Sequence, residues 1–351
     1  MELYDFVAIP LMKLEILTQS LQHWHKASGI QHEWKTNSPY QAWVVETILQ
    51  QTRIAQGGAY IQRFLQRFPD VSSLARAAID DVLQVWEGLG YYRRAHLMHK
   101  AAKIIQERGC WPQTNAEWLK LPGIGAYSAG ALASFVNNEN CPAIDGNVIR
   151  VFARWYDLDI DLYSAQGKRH LHALVENHLA HCHANQYNQI LMDFGSNICK
   201  PKSPYCATCV AQAYCKSFTK GSIEDRPIKK VKRPKTHRYF ILYWHVNECQ
   251  QLGMAKREAK DIWRGLWTLP HQEIAMVHWN SVIEKTNALT HRQTLSHQYI
   301  HTAVLQQKAP TDISIDTHYI DLPDAILLPM DRSSRQYIDH LAKGYILRGR
   351  Q

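Results

Sequence analysis

The chain has 351 residues, enough for two domains, and its hydrophobic fraction of 46% can build real cores. A net charge of +9 with 17 Tyr and 11 Trp suits a polyanionic partner, although many basic proteins have none. No apolar run reaches membrane-spanning length, and Glu2 and Asp5 around the short stretch 6–12 leave neither a basic leader nor a cleavage site, so a cytoplasmic protein is expected.

Leu14, Leu17, Leu21 and Trp24 recur at helical spacing. A second helix is predicted from Ser38-Pro39-Tyr40-Gln41: Ser38 is a good N-cap, Pro39 suits the first helical position and Gln41 completes a capping box. That helix runs through Trp43, Val44, Thr47, Ile48 and Gln51. Further helical periodicity covers 80–86, 94–106, 117–121, 126–136, 148–155, 168–182 and 186–197, with no strand pattern between them. Residues 226–238 hold two prolines, seven Lys/Arg and no acid, which predicts a linker. It reads as a solvated tether with some contact to a phosphate backbone. Beyond it, 239–244, 302–305 and 319–320 are rich in β-formers, and a helix is predicted over 333–341. The expected organisation is a helical domain over 1–225, a basic linker over 226–238 and a smaller α+β domain over 239–351.

Four cysteines crowd into a short segment as Cys199-x6-Cys206-x2-Cys209-x5-Cys215. Zinc ribbons present two close pairs and zinc fingers add histidines, and this spacing fits neither. One close pair flanked by two outlying ligands suits the wider reach of a four-iron cluster, with zinc as the weaker alternative. Thiolate ligation also implies a reducing compartment.

Four further segments carry candidate chemistry. In LPGIGAYSAG, residues 121–130, Gly123 and Gly125 make a tight hairpin ahead of a helix, a geometry that offers amides to phosphate or else is a plain corner. In AIDGNVIRVFARW, residues 143–155, Asp145 is either a helix N-cap or an anion held by N-terminal amides and aimed into a cleft. In AWVVETILQQTRI, residues 42–54, Glu46 sits among apolar neighbours that raise a carboxyl pKa, with Gln50, Gln51 and Thr52 following. In WEGLGYYRRAH, residues 86–96, exposed Leu89 and Tyr91 beside arginines could wedge into a base stack, or form a core-packed turn.

Together these residues resemble the helix–hairpin–helix DNA glycosylase superfamily with an iron–sulfur cluster, and above all its adenine-excising branch. The resemblance runs from about Leu14 to Leu341 and is densest from Pro39 to Cys215. It implies a mainly α helix–hairpin–helix glycosylase fold, with one [4Fe-4S] cluster on Cys199, Cys206, Cys209 and Cys215. A smaller α+β MutT/Nudix-like C-terminal domain would follow, matched by WRGLWTLP at 263–270. The implied reaction is hydrolytic removal of adenine mispaired with 8-oxoguanine or guanine in double-stranded DNA. A mismatch thymine glycosylase, or an Fe–S DNA-binding protein without catalysis, is the alternative. A monomer, nucleoid-associated and without a membrane partner, is expected.

The resemblance also implies roles. Glu46 would protonate the purine and help deliver water, Asp145 would face the anomeric carbon, Asn147 would orient it and Tyr127 would sit beside it. Bifunctional relatives carry a lysine where Tyr127 stands, so a monofunctional enzyme is implied. Trp34 and Gln189 match the adenine pocket. Gln51, Thr52, Leu89 and Tyr91 match positions that fill the gap and touch 8-oxoguanine, and Ser296 and His297 match a lesion-reading loop. The chain departs from the family where Ile30–Trp34 lacks the Arg and Leu-Pro of an Arg-x-x-Leu-Pro-Trp run, with one residue deleted between Trp34 and Pro39. Leu295 replaces a usual Phe, and HQEIAMVHWNSVIEK lacks the REx2EE pattern, so the second domain should recognise rather than hydrolyse.

Overall fold

The computed structural model describes residues 11–31, 38–50, 52, 54–180, 182–228, 234–257, 262–310 and 316–348. The helices α1 (Leu11–Ser28), α2 (Pro39–Leu49), α3 (Ile54–Arg67), α4 (Val71–Arg76), α5 (Ile79–Trp86) and α6 (Arg93–Arg108) come first. They are followed by α7 (Asn115–Trp118), α8 (Ala126–Asn137), α9 (Gly146–Trp155), α10 (Ala165–Leu179), α11 (Ala184–Asn197) and α12 (Lys216–Lys220). The remainder is β1 (Thr236–Tyr243), β2 (Gln251–Lys256), β3 (Trp267–Thr268), β4 (His271–Ile274), α13 (Met276–Lys285), β5 (Leu289–Thr294), β6 (Gln298–Leu305), β7 (His318–Asp321), α14 (Leu322–Leu327) and α15 (Arg332–Arg348). Among the described residues no helix is long and apolar enough to cross a membrane.

Two compact units emerge, and each combines separate stretches of chain: Met1–Arg53 with Ile104–Val231, and Ile54–Lys103 with Lys232–Gln351. The first is helical. Its core joins Leu17 and Leu21 of α1, Val151, Phe152 and Trp155 of α9, Leu171 and Val175 of α10, and Leu191 and Phe194 of α11. Each such side chain contributes about 1.5–3 kcal/mol on burial. At the centre lies a polar exception, His178, 1% exposed. Its ring joins the Tyr156 and Tyr187 hydroxyls, both at 2.7 Å, and stacks on Trp155. A neutral imidazole offers one donor and one acceptor, so it can serve both tyrosines without a buried charge.

Small residues let α8 pack closely. A Cβ on Gly130 would lie 2.0 Å from the Pro142 carbonyl oxygen, so only glycine fits there.

The second unit pairs the helices α3 and α5, locked by Phe64 edge-on to Trp86, with the α+β part of the chain. Its larger sheet has the order β4-β1-β6-β5, with β1 and β6 parallel and the other neighbours antiparallel. A smaller antiparallel sheet runs β3-β2-β7. Asp331 is fully buried and caps α15 by accepting from the Ser333 and Ser334 amides, both at 3.0 Å.

The predicted helices all form, with shifted ends. α2 stops at Leu49, with Gln50 as its C-cap, and does not reach Gln51. α10 begins at Ala165 because Ser164 caps it, accepting from the Gly167 amide at 3.0 Å. α3 and α4 were not anticipated: the Gly57-Gly58 pair interrupts the helical signal of one, and the other is six residues long. β1 starts at Thr236, inside the segment read as linker, of which 229–233 lie outside the described residues.

Replacing His178 by Leu should remove the partner of two buried hydroxyls and cost about 1–3 kcal/mol. The urea midpoint measures this, and an unchanged midpoint would contradict a structural role for the ring.

Candidate active site

Glu46 lies on α2, whose start is fixed by Ser38 accepting from the Gln41 amide at 3.4 Å and by Pro39 in the first turn. Its carboxyl is set deep in protein although the residue keeps a partly exposed surface. Ser128 Oγ donates to Glu46 Oε1 at 3.0 Å, and the Tyr127 hydroxyl donates to Oε2 at 3.3 Å. Gln50 Nε2 in turn donates to Ser128 Oγ at 2.9 Å. Burial raises the Glu46 pKa above the usual carboxylate range and the charge of Asp145 adds to this, while the Ser128, Tyr127 and Gln50 hydrogen bonds oppose it.

Asp145 proves to be both cap and anchor. Its Oδ1 accepts from the Asn147 and Val148 amides of α9, each at 2.8 Å, and its Oδ2 accepts from Asn147 Nδ2 at 2.7 Å. Burial raises its pKa too, and those N–H donors and the Arg150 charge oppose the rise without cancelling it.

Which carboxyl keeps a proton follows from the partners. Asn147 and the α9 amides can only donate to Asp145, so they favour the anion. Hydroxyls donate or accept, so Ser128 and Tyr127 can turn to receive a proton borne by Glu46. Of the two, Glu46 is the group whose partners can accommodate a proton. Tyr127, pushed well above its ordinary value first by burial and then by the charges of Glu46 and Asp145, stays neutral between them.

The sequence reading missed the residues that hold this arrangement. Arg150, one turn along α9, donates through Nη2 to Asn147 Oδ1 and to the Gly195 carbonyl, both at 2.8 Å. Its Nε donates to the Cys199 carbonyl at 2.7 Å. Gly195 of α11 makes room: a Cβ there would lie 2.5 Å from the Cβ of Asn147. No local pattern signals either role, because each depends on a helix far away in sequence.

The four clustered cysteines line one pocket, partly open to solvent, alongside Trp155, Phe194 and Ile198. Two short 3-10 turns, Cys206–Thr208 and Gln212–Tyr214, carry the loop. Buried Arg154 donates to Cys199 Sγ at 3.4 Å and to the Lys200 carbonyl at 2.7 Å, placing a positive charge beside the thiols. Burial pushes the thiols of Cys209 up to about 12 and Cys215 up to about 11, so each stays neutral unless a cationic group binds. Among the described residues no three or more His, Cys, Asp or Glu converge as they would on a metal ion. The four thiols share the lining of one pocket without converging on a point.

The hairpin forms as predicted. Gly123 has φ +85°, a conformation that favours glycine, and Gly125 starts α8 without any side-chain cap, leaving the entrance of the helix open. Gln189 donates to Asp193 Oδ2 at 3.2 Å, where His25 also bonds at 2.9 Å. Thr52 is half-buried after α2. Trp34 and Gln51 lie outside the described residues.

In the second unit, Tyr91 and Ser296 are hydrogen-bonded through their hydroxyls, so two segments far apart in sequence meet. Tyr91 is half exposed at φ +49°, and the exposed His297 follows Ser296. Leu89 corrects the expectation of an exposed wedge: it is only 7% exposed, because its amide bonds the Trp86 carbonyl and turns it inward. Arg335 fixes the same loop by a two-pronged pair with Glu87, at 2.7 and 2.9 Å.

Comparison with known proteins follows these features. Residues 44–176 match the HhH-GPD superfamily base excision DNA repair protein family. The adenine DNA glycosylase of Buchnera aphidicola subsp. Baizongia pistaciae is 32% identical over 296 residues, covering 80% of this chain and 83% of the relative. The adenine DNA glycosylase of Mus musculus is 36% identical over 182 residues, covering 51% of this chain and 35% of that protein. Among solved structures, a thermostable thymine-DNA glycosylase superposes with a TM-score of 0.55 at 20% identity, over 60% of this chain and 98% of the other. Endonuclease III in a non-covalent DNA complex gives 0.51 at 18%, over 59% and 97%. These two share the helical fold.

Replacing Gly195 by Ala should force α11 away from Asn147 and lower stability by about 1–3 kcal/mol. Thermal unfolding measures it; a variant that melts like the parent would mean the close approach is not needed.

Proposed function

This chain belongs to the adenine DNA glycosylases, a family of base excision repair enzymes, and from that premise we propose that it hydrolyses the N-glycosidic bond of adenine mispaired with 8-oxoguanine or guanine in double-stranded DNA. The observation that carries the mechanism is the unequal partnering of Glu46 and Asp145. Flipping the target nucleoside out of the stack costs a few kcal/mol, which binding must offset. Glu46 then gives its proton to the purine, making neutral adenine the leaving group as the C1′–N9 bond breaks. Asp145, held anionic by the α9 amides and Asn147, stabilises the positive charge that develops on the sugar. Water adds to C1′ and returns a proton to the Glu46 carboxylate, so atoms and charge balance. Tyr127 offers no amine, which supports hydrolysis without strand cleavage.

Supporting parts follow from the same family reading. The open start of α8 behind Gly123 and Gly125 is suited to a DNA phosphate. Gln189, with Trp34, is assigned to the adenine pocket. Tyr91, Ser296 and His297, with Gln51, Thr52 and Leu89, are assigned to the strand opposite adenine, and the hydroxyl contact between Tyr91 and Ser296 supports joint action of that pair. The α+β part is proposed as a MutT/Nudix-like recognition domain of a monomeric enzyme.

Cys199, Cys206, Cys209 and Cys215 would hold a [4Fe-4S] cluster, a reading supported by their shared cavity and the buried Arg154 beside it. Bound there, the cluster would supply a rigid four-thiolate staple for the loop. Protein purified without oxygen should contain about four irons per chain; zinc in their place would sink the assignment.

Glu46→Gln should abolish base release in single turnover while duplex binding persists. The parent's rate should fall as pH rises through the raised Glu46 pKa, because only the protonated acid is active. Release of thymine opposite guanine, with adenine left in place, would instead favour a mismatch thymine glycosylase.

A further inference from the structure

The larger sheet of the second unit has one face that is covered over half its length. In the parallel pair of β1 and β6, His237 lies opposite Tyr299, Tyr239 opposite His301 and Ile241 opposite Ala303. Alternate residues of a strand share a face, so these positions form one ladder. At one end α13 lays Trp279, Val282 and Ile283 over Ile241, Tyr243 and Ala303, and the Trp279 ring reaches on to Tyr239 at 5.4 Å and His301 at 5.9 Å. At the other end the ladder is built of His237, Tyr239, Tyr299 and His301, with Arg292 of β5 opposite His301. His237 and Arg292 are exposed and the other three half-buried.

The rings at this end are mutually ordered. Tyr239 stacks on His301 at 4.6 Å and 20°, and His237 stacks on His301 at 5.2 Å and 19°. His237 Nδ1 and His301 Nε2 share a hydrogen bond of 3.0 Å. The Lys235 ammonium, which also donates to the Leu295 carbonyl at 2.7 Å, lies 5.2 Å and the Arg292 guanidinium 5.8 Å from the Tyr299 ring centre. No carboxylate occurs among these six residues. Cross-strand ring pairs stabilise a sheet by themselves, but that does not explain a second cation, the exposed Arg292, over the same ring. A solvent-facing half-sheet usually carries short polar or mixed-charge side chains. Rings backed by cations match a ligand that has both flat faces and negative charge.

We propose that this half-face is a stacking platform for unpaired DNA nucleotides, with bases resting on His237 and on the Arg292–Tyr299 pair and phosphates meeting Lys235 and Arg292. Ring faces can take bases only from a strand whose pairing is open, because stacked pairs present edges to a protein. The platform adjoins the loop that carries Ser296 and His297, since β5 and β6 flank it. Its use is separate from adenine chemistry and does not depend on Glu46 or Asp145.

The test uses the full-length protein and a fluorescent oligo-dT of roughly ten nucleotides, within the span single-strand sites occupy. Anisotropy titrations compare the parent with His237→Ala, Arg292→Ala and the double variant. Each single change should weaken binding about 5- to 100-fold, and His237→Phe, which keeps a ring, should retain most of it. Photocrosslinking followed by peptide mapping should place adducts on β1, β5 or β6. Unchanged affinity in the double variant, or adducts confined to other parts of the chain, would overturn the proposal. Tighter binding of an RNA oligomer of equal length would overturn the assignment to DNA.

Discussion

Burying a carboxyl group raises the cost of ionising it, and the first unit does this to both Glu46 and Asp145 while giving them different partners. Asp145 receives only N–H donors, from the start of α9 and from Asn147. Glu46 receives two hydroxyls. The difference is one of hydrogen-bond partners: groups that only donate favour an anion, whereas hydroxyls can also accept from a protonated acid. The proposed division of labour between two chemically similar groups rests on that contrast.

Holding that division requires helices from across the chain. Ser128 and Tyr127 come from α8, behind the glycine hairpin. Asn147 is kept in place by Arg150, which also grips carbonyls of Gly195 and Cys199. The anion site and the cysteine loop are thus joined through one guanidinium. Arg154, one turn further along α9, faces the cysteine cavity itself. A single helix therefore connects the candidate catalytic pair to the candidate cluster site, so disorder in the loop would reach Asn147 through two hydrogen bonds.

The second unit follows a different logic. Its helices α3–α5 and its sheets belong to one compact body although the first unit's helical chain separates them in sequence. The loop after α5 is fixed by left-handed Gly88 and Gly90 and by the Glu87–Arg335 pair. Its Tyr91 then meets Ser296. Leu89 turns inward under the same restraints, so the side chain that looked most like a wedge is packed away in this state.

Much was legible in the sequence because it is written locally. Ser38-Pro39 dictates a helix start through one side-chain acceptor and one fixed φ, Gly123 marks a left-handed hairpin position, and the cysteine spacing singles out four thiols that share one pocket. Asp145 ahead of an amphipathic run could be read as a cap, and it is one. Tertiary structure alone decided the rest: that Ser128, backed by Gln50, bonds Glu46, that Gly195 clears space for Asn147, that Arg150 ties Asn147 to a distant loop, and that one end of a sheet face carries partly exposed rings. The physical reason is that hydrogen-bond partnership and burial are set by what approaches through space. The same glutamate in an α2 with no α8 against it would lack the two hydroxyls that partner it.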